Sequence, residues 1–217
     1  MAVTGTETVR DIITDALLDI QAVNEGEDIP AYQASQALRV LNRLMKSWQI
    51  MEGSPAFLKA SQSVTATTSA AHTMSPIRPI RLLSVRLKNA DGSELVMVEL
   101  TRDEYDQIPN KDATGTPTQY YYDRQKEAAR LYVWPLFSAV TTETFEVTYE
   151  REFEDIASLN DTIDLPAEWY DVAVRQLSAR LAPSYGVANP ALDMNAAYAL
   201  NLALAAGMEH QSVLWRA

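Results

Sequence analysis

The hydrophobic pattern changes its period twice along the chain, and this change limits the folds that are possible. Apolar residues recur at helical spacing from Thr6 to Glu25 and again between Pro30 and Gly53, which is typical of amphipathic helices. From about Ser61 apolar and polar residues alternate as in β-strands, and helical spacing returns after Asp164. The chain therefore has helical segments at both ends and a strand-rich region between them.

The two N-terminal helices have recognisable start and stop signals. Thr4 and Glu7 have the spacing of a capping box, and Gly26 stands where the first helix would end. Pro30 suits the first turn of the second helix, whose apolar stripe extends to Trp48. Because a short acidic turn joins the two segments, we expect an antiparallel helical hairpin.

The central region contains strand-like runs and no long helix. Asp91-Gly92 lies between two alternating runs and is a strong hairpin signal, and Arg102–Ile108 is expected to form a helical turn. Strands without intervening long helices favour an antiparallel sheet, a small barrel or a sandwich. The predicted strands are Ser63–Thr68, Ile80–Lys88, Glu94–Leu100, Thr118–Arg124, Arg130–Trp134 and Thr141–Arg151.

Two further helices are predicted after the strands. One follows the start signal Asp164-Leu165-Pro166 and extends to Pro183, and the last extends from about Pro190 to His210. We therefore predict an α+β fold: a helical frame, made of the N-terminal hairpin and two C-terminal helices, with an inserted antiparallel β module. The predicted domains are residues 1–58 with 160–217, and 59–159.

Charge and composition exclude several classes of protein. The 217 residues include no cysteine, which excludes thiol catalysis, disulfides and cysteine-ligated metals. The formal net charge of −11 disfavours a grip on the phosphate backbone of nucleic acids. The N-terminus lacks the pattern of a secretory signal, and the longest apolar stretch, Tyr198 to Met208, is shorter than a membrane span. We expect a protein that is made inside the cell and does not bind membranes.

No group of residues has the pattern of a catalytic, cofactor or metal site. The seven glycines lie too far apart for a phosphate-binding loop. His72 and His210 have no neighbouring ligand pattern, so structural roles are favoured for both. The acidic residues of the turn after the first helix lack the regular alternation of a calcium loop. We expect no cofactor, no metal and no enzymatic activity.

Three sets of surface residues have alternative interpretations. Arg39, Arg43 and Lys46 fall on one side of the second helix. They form either a contact for DNA or a protein partner or simply a solvated face. A second basic group comprises Arg78, Arg81, Arg86 and Lys88. A group of carboxylates either includes an acid–base pair or, more simply, forms a solvated strand end. The group comprises Glu146, Glu150, Glu152, Glu154 and Asp155.

An ordered set of segments resembles a known family. The strand Phe145–Arg151 leads through Ile156 and Thr162–Asp164 into Leu165–Trp169, and the following helix ends in Leu181–Val187. This succession is similar to that of the head-to-tail adaptors of tailed bacteriophages, also called tail accessory or packaged-DNA stabilisation proteins. The best match covers about residues 140–210.

The resemblance implies a structural role at the head–tail junction of the virion, for a protein that is made in the host cytoplasm. It implies a homo-oligomeric ring, usually of twelve copies, below the portal protein, with a tail or neck protein such as a nozzle or stopper as the distal partner. Double-stranded DNA would pass through the lumen without specific binding. The family carries over no catalytic residue, and the matching positions Pro166, Trp169, Pro183 and Gly186 have structural roles.

The last helix and the C-terminal tail are the predicted contacts with the portal or a neighbouring subunit. Small residues form one stripe of this helix. The tail contains large apolar groups, which contribute most to binding energy when they are buried at an interface. The predicted interface residues are Ala196, Ala199, Ala203, Ala206, Leu214, Trp215 and Arg216.

Two alternative functions are left open by the residues. One is a carbohydrate- or surface-binding module that uses Tyr120, Tyr121, Tyr122 and Trp134 as stacking residues. Alternation would place Tyr120 and Tyr122 on one face and Tyr121 on the other. The second alternative is a glycosidase that uses the carboxylates near Glu150.

Overall fold

The structure, a computed structural model, describes residues 7–51, 55–74, 78–126, 128–140 and 142–207. Within these residues the chain forms five α-helices and eight strands, which confirms the predicted α+β class. The helices are α1 (Val9–Asp19), α2 (Ala31–Trp48), α3 (Arg102–Asp106), α4 (Tyr170–Leu181) and α5 (Pro190–Ala206). The strands are β1 (Lys59–Thr65), β2 (Ala71–Met74), β3 (Arg81–Lys88), β4 (Glu94–Val96), β5 (Val98–Leu100), β6 (Gln119–Asp123), β7 (Ala129–Trp134) and β8 (Thr144–Glu150).

The chain divides into two compact units. The helical unit comprises Met1–Phe57 and Phe153–Ala217, and the β unit comprises Leu58–Glu152. The predicted domains, 1–58 with 160–217 and 59–159, stay a prediction. The segment that follows Glu152 contacts the helical unit, since the Phe153 N–H donates to the Gln49 side chain at 3.2 Å.

Helix α4 lies at the centre of the helical unit, where it contacts α1, α2 and α5. Its Ser178 hydroxyl donates to the Val174 carbonyl at 2.8 Å, so a buried polar side chain is satisfied inside the helix. The α2 side chain of Asn42 makes two hydrogen bonds of 3.0 Å to the backbone of Ile156. These contacts hold the chain that returns from the β unit against α2.

Helix α1 begins later than the sequence predicts. Its capping box consists of Thr8 and Asp11, whereas the predicted partner Thr4 lies outside the described residues. Thr8 is extended and forms a β-bridge with Thr162. Because Thr8 and Asp11 have the same capping spacing as the predicted pair, the signal recurs four residues along the chain.

Four aromatic rings pack together in the helical unit. Trp169 lies 5.6 Å from Trp48 and 5.4 Å from Phe57, measured between ring centroids in edge-on geometry. Phe153 contacts both Trp48 and Phe57. Because Phe57 and Phe153 flank the β unit in sequence, this aromatic cluster brings together the two points of the helical unit between which the β unit is inserted.

The β unit contains two four-stranded sheets. One has the order β1-β8-β3-β4 and the other β2-β7-β6-β5, and buried side chains from both sheets form one apolar core. All described strand pairs are antiparallel except β5 and β6, which are parallel. Helix α3 and its loop carry the chain back between β5 and β6, so these neighbours enter the sheet in the same direction. No described helix is both long and apolar enough to span a membrane.

Candidate docking surfaces

The small residues of α5 pack within the chain. Ala196, Ala199 and Ala203 are buried, and the Gln176 side chain of α4 donates to the Ala196 carbonyl at 3.0 Å. Ala206 is exposed, while the predicted contacts Leu214, Trp215 and Arg216 lie outside the described residues. Contact of this segment with the portal or another subunit stays a prediction. On α5, such a contact must use the side of the helix opposite the buried alanines.

That opposite side of α5 carries a row of exposed apolar side chains. Met194, Tyr198 and Leu202 are 73%, 70% and 60% exposed and recur every fourth residue. Sequence reasoning missed this row because α5 is apolar on all sides, so periodicity alone does not distinguish the buried side from the exposed one. Burial of large side chains such as these contributes about 1.5–3 kcal/mol each, which makes the row a candidate docking surface.

The basic residues of α2 divide into two kinds. Lys46 donates to the Phe153 carbonyl at 2.6 Å and lies 3.0 Å from the Asp155 carboxylate, so it holds the returning chain. Arg39 and Arg43 are exposed and form no ion pair with any described residue. The contact predicted for all three cations therefore has only these two arginines free to meet a partner.

A row of carboxylates that begins just before α1 and continues along it was not predicted. Every fourth residue of this segment is acidic, namely Glu7, Asp11, Asp15 and Asp19. This i, i+4 spacing is the sequence pattern from which the row could have been predicted. Burial and then repulsion by neighbouring carboxylates raise the pKa of Glu7 and of Asp15. Hydrogen bonds from Thr8 instead lower the pKa of Asp11. None of these four carboxylates forms an ion pair with a described residue, so the row presents acidic groups to a partner.

The row on α1 and the row on α5 belong to one continuous surface. Asp171 and Arg175 of α4 form an ion pair of 3.0 Å and line the groove beside Asp15 and Asp19. The same two residues line the groove beside Tyr198 and Leu202. A partner that contacts α4 here meets carboxylates on one side and apolar groups on the other.

Four of the five carboxylates proposed for acid–base chemistry, all but Glu154, have side-chain partners in the structure. Glu150 is buried, which differs from the predicted solvated position, and accepts two hydrogen bonds from Arg81, at 2.7 and 2.9 Å. Glu152 pairs with Arg78 at 3.5 Å, and Glu146 accepts from the Ser63 hydroxyl at 2.7 Å. The second basic group is therefore used largely in ion pairs within the β unit.

The tyrosines of β6 alternate as predicted. Tyr120 is buried in the core, and the Tyr122 hydroxyl donates to the Pro79 carbonyl at 2.6 Å. Tyr121 stacks on Tyr105 and Tyr132 with ring centroids 5.4 and 5.9 Å apart. These rings stack on one another, so they do not present the flat row of free faces that a sugar-binding platform needs.

His72 is a buried residue of the β unit. Its Nε2 atom accepts a hydrogen bond of 3.1 Å from the Thr67 N–H, and its ring lies 5.0 Å from that of Phe145. Burial lowers the pKa of His72, which favours the neutral ring. His210 lies outside the described residues. No group of three or more His, Asp or Glu side chains within the described part of the chain is arranged to hold a metal ion.

Comparisons with known proteins identify the family. Similar solved chains include two from gene transfer agent (GTA) particles: one from the virion of the native particle and one from its neck computed with C12 symmetry. They are 13% and 14% identical, with TM-scores of 0.33 and 0.31, and in both pairs 100% of this chain and 97% of the other are covered. No curated protein matches. A model of the SU10 adaptor protein family matches residues 7–214. The chain therefore belongs to the SU10 adaptor family, which confirms the predicted resemblance to bacteriophage head-to-tail adaptors.

Proposed function

We propose that this protein is a structural connector at the head–tail junction of a virion, where copies form a ring below the portal. The match of an adaptor family model to residues 7–214 is the observation that carries the proposal. The ring prolongs the DNA channel, helps to retain packaged DNA and docks a tail or neck protein such as a nozzle or stopper. Twelve copies are proposed, and the role involves no catalysis.

The surface of the helical unit supports a role in protein contacts. Met194, Tyr198 and Leu202 form an exposed apolar row, and Arg39 and Arg43 have no described ionic partner. Exposed apolar groups and unpaired charges on the surface of a folded subunit are typical of sites for protein contacts.

The net charge supports a passive role toward DNA. At −11 per copy, a ring of identical subunits surrounds its lumen with a negative field that repels phosphate. Low affinity allows the genome to pass through the channel without being trapped on its wall. We propose that double-stranded DNA passes through the lumen without specific binding.

The test combines the purified full-length chain with the portal protein of the same virus. Negative-stain imaging should show an added ring on the portal, and native mass spectrometry should show a mass increase of twelve times the 24.1 kDa subunit. Mixing with an unrelated phage portal is the control and should give no complex. A chain that stays monomeric and does not bind its portal would overturn the proposal, and a different copy number would revise it.

A further inference from the structure

The continuous surface of α1, α4 and α5 has features that a partner must match, and we name it the acidic–apolar face. It carries the exposed carboxylates Asp15 and Asp19 on one side and the apolar row of α5 on the other. Asp171 and Arg175 between them neutralise each other. A matching surface therefore needs cations beside exposed apolar groups.

The exposed side of α2 has this composition, and we name it the arginine face. It consists of Tyr32, Arg39 and Arg43, all of which are exposed. At 100° per residue these three positions fall within about 20° of one line along the helix. The two cations thus share one line with the large exposed ring of Tyr32, and the exposed Ile50 follows just beyond the end of the helix.

The charged residues of the two faces have the same spacing. Arg39 and Arg43 are one i, i+4 step apart, as are Asp15 and Asp19, which corresponds to about 6 Å along a helix axis. Two helices that lie side by side can therefore align both cations with both carboxylates. Within the described chain these charges do not pair with one another.

A second copy of this chain is the partner that presents both faces. The faces lie on different helices of each copy, so their pairing joins one surface to a different surface of the next copy. Contacts of this heterologous kind leave a free face at each end and close only when a ring is complete. We infer that the acidic–apolar face of one copy docks on the arginine face of the next, as the repeated contact of the proposed ring. This inference rests on the proposed function.

Charge reversal on each face gives two variants of the full-length chain. Arg39→Glu with Arg43→Glu reverses the arginine face, and Asp15→Arg with Asp19→Arg reverses the carboxylates. Each variant alone should assemble on the portal at least about tenfold more weakly than the unmodified chain, because like charges then meet at every contact. Sedimentation velocity measures the assembled fraction, and circular dichroism checks that each variant is folded.

A mixture of the two variants tests the pairing directly. Reversed faces then meet each other and unmodified faces meet each other, so alternating copies should restore assembly in a ring with an even number of subunits. Single variants that assemble normally, or a mixture that stays unassembled, would overturn the docking inference. If the unmodified chain binds the portal as a ring in the same experiment, the proposed function stands, and if it forms no ring, both fail.

A third variant tests the apolar row. Leu202→Glu should weaken assembly at least about tenfold by placing a charge in the contact, whereas Val140→Glu, at a 90% exposed position of the β unit, should leave it unchanged. Equal assembly of the two variants would show that something else covers the row, such as the chain's own C-terminal tail, and would overturn the inference. Loss of DNA binding by the Arg39/Arg43 variant with intact assembly would also overturn it.

Discussion

The protonation of His72 links the stability of the β unit to pH. In the folded chain burial lowers the pKa of this ring below its ordinary value, whereas in the unfolded chain the ring takes up a proton near pH 6.5. The unfolded state therefore binds more protons as the pH falls through that value. The contribution of the neutral ring is complete above about pH 6.5 and is lost as the pH falls from there toward the folded pKa.

We predict that acid weakens the β unit less when His72 is replaced by Gln. Urea unfolding between pH 8 and pH 5 should show a shallower loss of stability for this variant, by at most about 1.4 kcal/mol per pH unit for a single proton. Carboxylates titrate in both proteins, so the difference between the two profiles isolates the histidine. Parallel profiles would contradict the prediction.

The buried carboxylate of Glu150 is a second single residue that contributes to the stability of the β unit. Its two hydrogen bonds from Arg81 join directly opposed residues of β3 and β8. Glu150→Gln should lower the free energy of unfolding by about 1–3 kcal/mol, because the buried side chain loses its charge and one of the two oxygens that accept from Arg81. Glu94→Gln, whose pair with Arg86 is half exposed, is the matched control and should cost less than about 1 kcal/mol. Chemical denaturation measures both, and equal losses would contradict the prediction.

At the scale of elements, local signals predicted most helices and strands but not how the strands pair. Helical spacing located α1, α2, α4 and α5, because each buries one side against a neighbour. Glu94–Leu100 was expected to be one strand, whereas β4 and β5 join different sheets on either side of the buried Met97. Pairing depends on contacts between distant parts of the chain, which the alternation of one segment does not encode.

The candidate docking surfaces were only partly predictable from the sequence, for a related reason. Arg39 and Arg43 stood out by charge and spacing, but Lys46 has the same spacing and is used inside the chain. The alanines of α5 were predicted at an interface between chains, whereas three of them lie in the packing of α5 within the chain. A pattern shows that a side of a helix is buried and does not say by which partner.

The aromatic cluster should control the stability of the helical unit. Trp169 is buried and touches both Trp48 and Phe57, so Trp169→Ala leaves a large cavity where the chain leaves and re-enters the unit. We expect a loss of about 3–5 kcal/mol in the free energy of unfolding, measured by denaturant titration. Tyr198→Ala removes an exposed ring of α5 and serves as the control, with a change within about 0.5 kcal/mol. A similar change in both variants would contradict the prediction.

At the scale of the whole molecule, the net charge opposes the assembly that the function requires. Each copy carries −11, so identical subunits repel one another at long range. In the proposed contact, local pairing of Arg39 and Arg43 with the carboxylates of the next copy offsets this repulsion only where two copies meet in one orientation. Charge thus disfavours random aggregates more than it disfavours the ordered ring, and added salt should relieve the long-range repulsion.

The C-terminal tail is the remaining part of the molecule for which the sequence predicts a partner. Val213–Ala217 contains Leu214 and Trp215, and large apolar groups of this kind stabilise complexes most when they are buried at an interface centre. Deletion of Val213–Ala217 should therefore weaken binding to the portal by at least about tenfold in a pull-down with purified proteins. Replacement of Ser212 by Ala tests the same region without removing an apolar group and should leave binding unchanged. If the shortened chain binds the portal as strongly as the full chain, the tail has no part in that contact, and the portal must be held by other surfaces.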